Sequence, residues 1–205
     1  MNEIVSDAGA STEPVPIFPL NTVLFPDGLL PLRIFEARYM DMARNCLKHH
    51  APFGVCLIRE GKEVGEPAVP ESIGCLAHIV ECDMQQLGVL QVTTRGGQRF
   101  RIRDRNANSQ GLISARIELI TAEEECAVPE EYSGCRRLIE MIVSDRGKAV
   151  FGEPHRFDSA TWIGHRLAEI LPVSAVAKQK LLELDDSLAR LAILQRFLEQ
   201  RGLAG

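Results

Sequence analysis

The chain has 205 residues, enough for one domain or two small ones with a substantial core. Its 45% hydrophobic and 25% charged residues are globular proportions, which argues against disorder. A formal charge of −5 argues against nucleic-acid binding led by charge over the whole surface, though not against a local basic patch.

The longest stretch without a charge, Pro14 to Pro26, holds 13 residues and four prolines. A spanning helix needs about 20 apolar residues, so no membrane span is expected. Met1 to Thr12 carries Glu3 and Asp7 and no Lys or Arg, which does not read as a signal peptide. The six cysteines form no C-x-x-C pair. They read as reduced thiols of a cytoplasmic protein, with Cys56 and Cys75 as core residues.

In chain order, residues 1–14 read as a mobile tail and residues 15–120 as a β-rich part. Val15 to Leu20, punctuated by Pro16 and Pro19, reads as an edge strand or extended entry segment. Pro26-Asp27-Gly28 makes a turn between two apolar runs. Phe35 to His49 places Phe35, Tyr39, Met42, Ala43, Cys46 and Leu47 on one helical face. Strands are expected at Phe53 to Ile58, Ile73 to Cys82, Leu87 to Thr94, Gln98 to Arg105 and Leu112 to Ile120.

Residues 121–131 carry five glutamates and Pro129, and read as an exposed acidic linker. Residues 132–205 read as a helical bundle. Its first helix carries the stripe Tyr132, Cys135, Leu138, Ile139, Ile142, Val143. The next is expected to be capped by Asp158 and to run through Leu171. Ser174 should cap the third, and Asp185-Asp186 marks the start of the last. The helical stripes need a partner surface, so the bundle should pack on the β half. A cleft is expected near the join, with Ile17 to Phe35 beside it.

Catalytic motifs are missing. Gly61-Lys62 is followed by Glu63 and Gly147-Lys148 by Ala149, so no phosphate loop exists, and G-x-G-x-x-G, G-x-S-x-G and H-E-x-x-H are absent. Cys75, His78 and Cys82 could be three ligands, but on a strand only His78 and Cys82 share a face, which is not a zinc site. His49-His50 suits a helix C-terminus. Cys135 with His165 is conceivable as a thiol hydrolase pair, yet Cys135 fits the buried stripe. No catalytic residue, metal or cofactor is therefore expected.

Two binding surfaces remain. Arg99, Arg101, Arg103 and Arg105 alternate with Phe100, Ile102 and Asp104, with Arg95 nearby. On a strand they form one basic face, either solvated and paired with a neighbour such as Glu118 or holding phosphates or an acidic peptide. Separately, Ile17, Phe18, Leu20, Phe25, Leu30 and Phe35 lie in a segment whose prolines limit ladder pairing. Part of it could leave an apolar groove for extended polypeptide.

Pro16-Ile-Phe-Pro-Leu20, Val23-Leu-Phe-Pro26 and Leu30-Pro-Leu-Arg-Ile-Phe-Glu-Ala-Arg-Tyr39 resemble the opening of the N-terminal substrate-binding domain of the Lon ATP-dependent protease. Phe53-Gly-Val55, Ile73-Gly-Cys75, Gly97-Gln-Arg-Phe100, Lys178-Gln-Lys-Leu-Leu-Glu183 and Arg190-Leu191 follow in the family's order, so the likeness covers residues 14–200. It implies an α+β fold, a PUA-like pseudobarrel with one helix followed by a helical bundle. It also implies a free-standing, non-enzymatic protein that binds unfolded or extended polypeptide, without the ATPase and Ser-Lys peptidase modules of the full protease. Its role would be that of an adaptor, with a protease or chaperone as partner, and neither nucleic acid nor membrane. Binding of nucleic acid through Arg99 to Arg105 is the alternative. In the opening block, Arg33 is expected to pair with Glu36 and pin the strand-to-helix corner.

Overall fold

A computed structural model describes residues 13–86 and 88–203. The tail expected over residues 1–14 lies, apart from Glu13 and Pro14, outside the described residues, as does Leu87 at the expected start of a strand. Seven strands come first: β1 (Val15–Leu20), β2 (Leu29–Ile34), β3 (Phe53–Glu60), β4 (Val69–Pro70), β5 (Ile73–Gln86), β6 (Val89–Ala107) and β7 (Ile113–Leu119). Helix α1 (Ala37–His49) lies between β2 and β3. Helices α2 (Ser133–Arg146), α3 (Ala160–Ile170), α4 (Ala175–Glu183) and α5 (Ser187–Gln200) follow. The fold is α+β, a β-rich first half and a helical second half.

The strands run β1-β7-β6-β5-β3, and β1 then pairs with β3 in parallel, Ile17 opposite Gly54, so the sheet closes on itself. β1 is thus an interior strand, which corrects the expected edge. Closure supplies partners on both sides, and Pro16 and Pro19 face Ser114 and Cys56 with only one missing donor each. Leu90 to Thr94 and Gln98 to Arg105 belong to one 19-residue strand instead of two. β6 carries β7 along its distal half and β2 along its first half, Leu29 opposite Arg95 through Ile34 opposite Leu90.

Gly96 sits where these roles change. A Cβ there would lie 2.0 Å from the Phe25 carbonyl oxygen, so only glycine lets the Pro26-Asp27-Gly28 turn cross this close. The turn is fastened by Asp27 N–H to Gly96 O and Gly96 N–H to Gly28 O, both 2.8 Å, and Asp27 takes φ 62°.

Helix α1 buries Tyr39, Met42, Ala43 and Cys46 against Phe18, Phe53, Leu90 and Val92. Phe35 is not on that face: the helix begins two residues later, and the ring is 58% exposed. His50 ends the helix in the left-handed conformation, after Lys48 and His49 in its last turn.

In the helical half α3 is the hub, with Trp162, Ile163, Leu167 and Ala168 all buried. Its cap is Ser159, whose hydroxyl accepts from Trp162 N–H, one residue beyond the expected Asp158. Ser174 and Asp186 cap α4 and α5 as their types dictate. The core of this half includes Val23, Phe25, Leu57 and Ile73 from the β half, so one apolar core crosses the join. At about 25 cal/mol per Å² of apolar burial, that shared core contributes to holding the halves together.

Candidate functional site

Two features meet at the join. The first is a cleft of about 230 Å³. Thr22, Val23 and Leu24 form one wall with Leu29 and Leu30 at the start of β2; Val150, Phe151 and Gly152 form a second; Arg166, Glu169 and Ile170 of α3 and Lys178 of α4 close it. The opening segment therefore lines a cleft between the halves. β2 leads away from it with β6 as its one strand neighbour among the described residues.

The polar floor of this cleft is organised by Arg166, which is fully buried. Its Nη2 donates to Pro26 O at 2.6 Å and to Glu169 Oε1 at 3.0 Å, tying α3 to the turn. Lys178 Nζ donates to the Glu169 carbonyl at 2.5 Å. Burial pushes the Glu169 carboxyl up to about 7, against the pull of Arg166 and Lys178.

The second feature is an ionic joint beside the turn. Glu123 accepts two parallel hydrogen bonds from Arg190, Nη1 and Nη2 each at 2.7 Å. Arg99 Nη2 stands 3.3 Å from the same carboxylate, and His165 Nε2 stands 3.5 Å away. Arg99 also donates to Leu182 O at 2.7 Å and Leu184 O at 2.6 Å, and Arg190 to Leu181 O at 2.9 Å. The two guanidiniums thus satisfy the carbonyls at the end of α4. Burial would raise the Glu123 pKa, but the hydrogen bonds from His165 and Arg190 prevail and hold it down at about 2. Burial lowers His165 to about 4, so its imidazole is neutral at pH 7.

This joint corrects two expectations. Residues 121–131 are not uniformly exposed, because the Glu123 side chain is only 3% accessible. Arg99 does not share a solvated face with Arg101, Arg103 and Arg105, being 4% accessible. Arg99 faces the helical half, where Leu182 O, Leu184 O and Glu123 cover it, while Arg101 is half-buried. Along the rest of the strand Arg103 pairs with Glu118, and Arg105 is exposed. Arg95 lies half-buried with its guanidinium against Gly152.

The apolar candidates separate by burial. Ile17, Phe18, Leu20 and Phe25 are core residues, which corrects their assignment to an open groove: barrel closure seals the prolines' strand on both sides. Leu30, on the cleft wall, and Phe35, on the surface, stay accessible. Glu36 pairs with the buried Arg38 at 2.9 Å instead of with the exposed Arg33, and Arg38 also donates to Gly111 O at 3.1 Å.

Cys135 and His165 do not form a pair. The Cys135 thiol donates to Gln195 Oε1 at 3.4 Å, and burial pushes it up to about 12. His155 Nε2 lies 2.9 Å from Lys148 O and 3.1 Å from Phe151 O, a structural placement. Among the described residues no group of three or more His, Cys, Asp or Glu side chains could hold a metal ion. No described helix is long and apolar enough to cross a membrane.

The sequence does not point to Arg166 or Glu169, and Lys178, Glu123 and Arg190 enter it only within longer motifs, without a site role. The available signal was a charged residue inside an otherwise apolar helical stretch, Trp162 to Ala168 for Arg166 and Leu188 to Leu194 for Arg190. Such residues are buried only when paired.

Known proteins share this architecture. Residues 14–200 match the profile of the ATP-dependent protease La (LON) substrate-binding domain. Lon protease 2 of Herpetosiphon aurantiacus is 28% identical over 206 residues, covering 94% of this chain and 24% of that protein. Lon protease 2 of Syntrophobacter fumaroxidans is 27% identical over 193 residues, covering 87% and 23%. The chain thus spans about a quarter of the length of these curated relatives. The crystal structure of a Lon N-terminal domain protein from Xanthomonas campestris superposes with a TM-score of 0.75 at 32% identity, covering 89% of this chain and 97% of that one. The N-terminal domain of a Mycobacterium avium complex Lon protease, at 16% identity and a TM-score of 0.64, covers 91% and 98% and shares the fold. With a match that runs through barrel and bundle alike, the chain belongs to the Lon substrate-binding domain family.

Proposed function

We propose that this chain binds unfolded or extended polypeptide without catalysing a reaction, and serves as an adaptor that presents bound chains to a protease or chaperone. The observation that carries this reading is the cleft at the join. Its walls carry Val23, Leu24, Leu29, Leu30, Phe151 and Ile170 beside Arg166, Glu169 and Lys178, and Leu29 and Leu30 lead from it onto β2, a strand open on one side among the described residues. An extended chain can add main-chain hydrogen bonds along such a strand and drop alternate side chains into the adjoining cleft. Leu29 and Phe35, both exposed, widen the apolar surface around it. Family membership supports the same reading, and the matched region spans about a quarter of the curated relatives.

The test is a titration of a labelled, permanently unfolded protein, read by fluorescence anisotropy at low and high salt. Binding should persist at high salt, because apolar contacts carry it, and Leu30→Asp should weaken it at least tenfold. Trp162, the single tryptophan, reports whether that variant stays folded. Failure to bind overturns the proposal. Binding of nucleic acid with steep salt dependence would favour the arginine strand instead.

A further inference from the structure

The cleft holds more positive charge than its own carboxylate uses. Arg166 has no accessible surface, yet its Nε and Nη1 have no hydrogen-bond partner among the described residues. Leaving buried donors of a charged group unpaired is costly, so two such atoms in one guanidinium point to a partner that the folded chain does not supply. Lys178 spends one of its three donors on a main-chain carbonyl and has no ion pair among the described residues. Arg95, likewise without an ion pair among them, packs against Gly152 on the cleft wall; a Cβ on Gly152 would lie 2.7 Å from its Nη2. The one carboxylate of the cleft, Glu169, titrates near neutrality. In a chain of formal charge −5, this is a local site for an anion.

Resting on the polypeptide-binding reading, we propose that the cleft captures the C-terminal carboxylate of a bound polypeptide, with Arg166 and Lys178 as its cations and Val23, Leu29, Leu30 and Phe151 around the last side chain. The mixture of walls selects this anion. Phosphate would bring no apolar surface to bury, whereas a C-terminal residue carries an apolar side chain beside its carboxylate. The cleft is closed by four segments of chain, so it accommodates an end better than a strand passing through. The residues preceding the end would continue along the open side of β2.

The experiment compares labelled ten-residue peptides of alternating serine and leucine, ending in leucine, as the free acid or as the C-terminal amide, on the full chain. The free acid should bind at least tenfold more tightly. Lys178→Met should erase that difference, and Glu169→Gln, which removes the competing carboxylate, should enlarge it severalfold. Equal binding of acid and amide overturns the terminal-carboxylate site while leaving polypeptide binding intact. An amide peptide with an internal glutamate that matches the free acid overturns it too, in favour of acidic side chains. A preference for the acid that is unchanged in both variants removes Lys178 and Glu169 from the site and overturns it as drawn. Binding of neither peptide overturns both this site and the broader reading.

Discussion

Arg190 and Glu123 form a two-pronged ion pair, 2.7 Å on each prong, in which the arginine is 0% and the carboxylate 3% exposed. It joins the segment after the barrel to the last helix across 67 positions of sequence. Removing one partner of such a pair leaves an uncompensated buried charge and costs about 3–5 kcal/mol. Arg190→Ala should lower the urea unfolding free energy by about that amount. Arg190→Lys should recover little of it, because an ammonium cannot reproduce the fork or the bond to Leu181 O.

The arginines of β6 should differ sharply in cost. Arg103 is 60% exposed and paired with Glu118 at the surface, so Arg103→Glu should cost no more than about 1 kcal/mol. Arg99→Glu places a carboxylate beside Glu123 and Asp185 and strips bonds from Leu182 O and Leu184 O. It should cost more than about 3 kcal/mol in the same denaturant titration.

Stability against pH should show a plateau and then a fall. His165 protonates at 6.5 when unfolded and at about 4 when folded, so acid destabilises the fold between those values, by about 3 kcal/mol in total. Glu169 protonates at about 7 when folded and 4.5 when unfolded, so acid stabilises the fold between those values by a comparable amount. The two nearly cancel from pH 6.5 to 4.5. Below 4.5 Glu123, held down at about 2, loses its contribution as pH falls towards that value. Thermal midpoints should therefore be level between pH 6.5 and 4.5 and drop steeply below. In His165→Gln the cancellation is gone, and the midpoint should rise as pH falls from 7 to 4.5.

We propose that residues 121–131 are the boundary between a β-rich unit at 15–120 and the bundle at 132–205. A protease that cuts after glutamate should nick the exposed Glu124, Glu125 and Glu130 first among the described residues. The fragments should still co-elute, because Phe25 and Ile73 share a core with Ile163 and Leu182. Early cutting by a protease of broad specificity within the buried Phe53 to Leu57 of β3 would contradict this boundary.

Local periodicity determined the elements. The alternation at Ile113, Ala115 and Ile117, the helical face at Tyr39, Met42, Ala43 and Cys46, and the caps Ser174 and Asp186 were legible because each depends on neighbours within a few residues. The two-part α+β order followed, and so did the cleft beside the opening segment, from the need of the helical stripes for a partner surface. What the tertiary structure alone decided is which polar and apolar residues are sealed. Closure of the barrel through β1 and β3 buried Ile17, Phe18 and Leu20, although their prolines read as an open edge. The end of α4 packed over Arg99 of β6, and the turn at Pro26 met Arg166 across 140 positions. A charged side chain is stable in the interior only where opposite charge and carbonyls converge on it. That convergence is a property of the assembled fold, and no spacing within one segment encodes it.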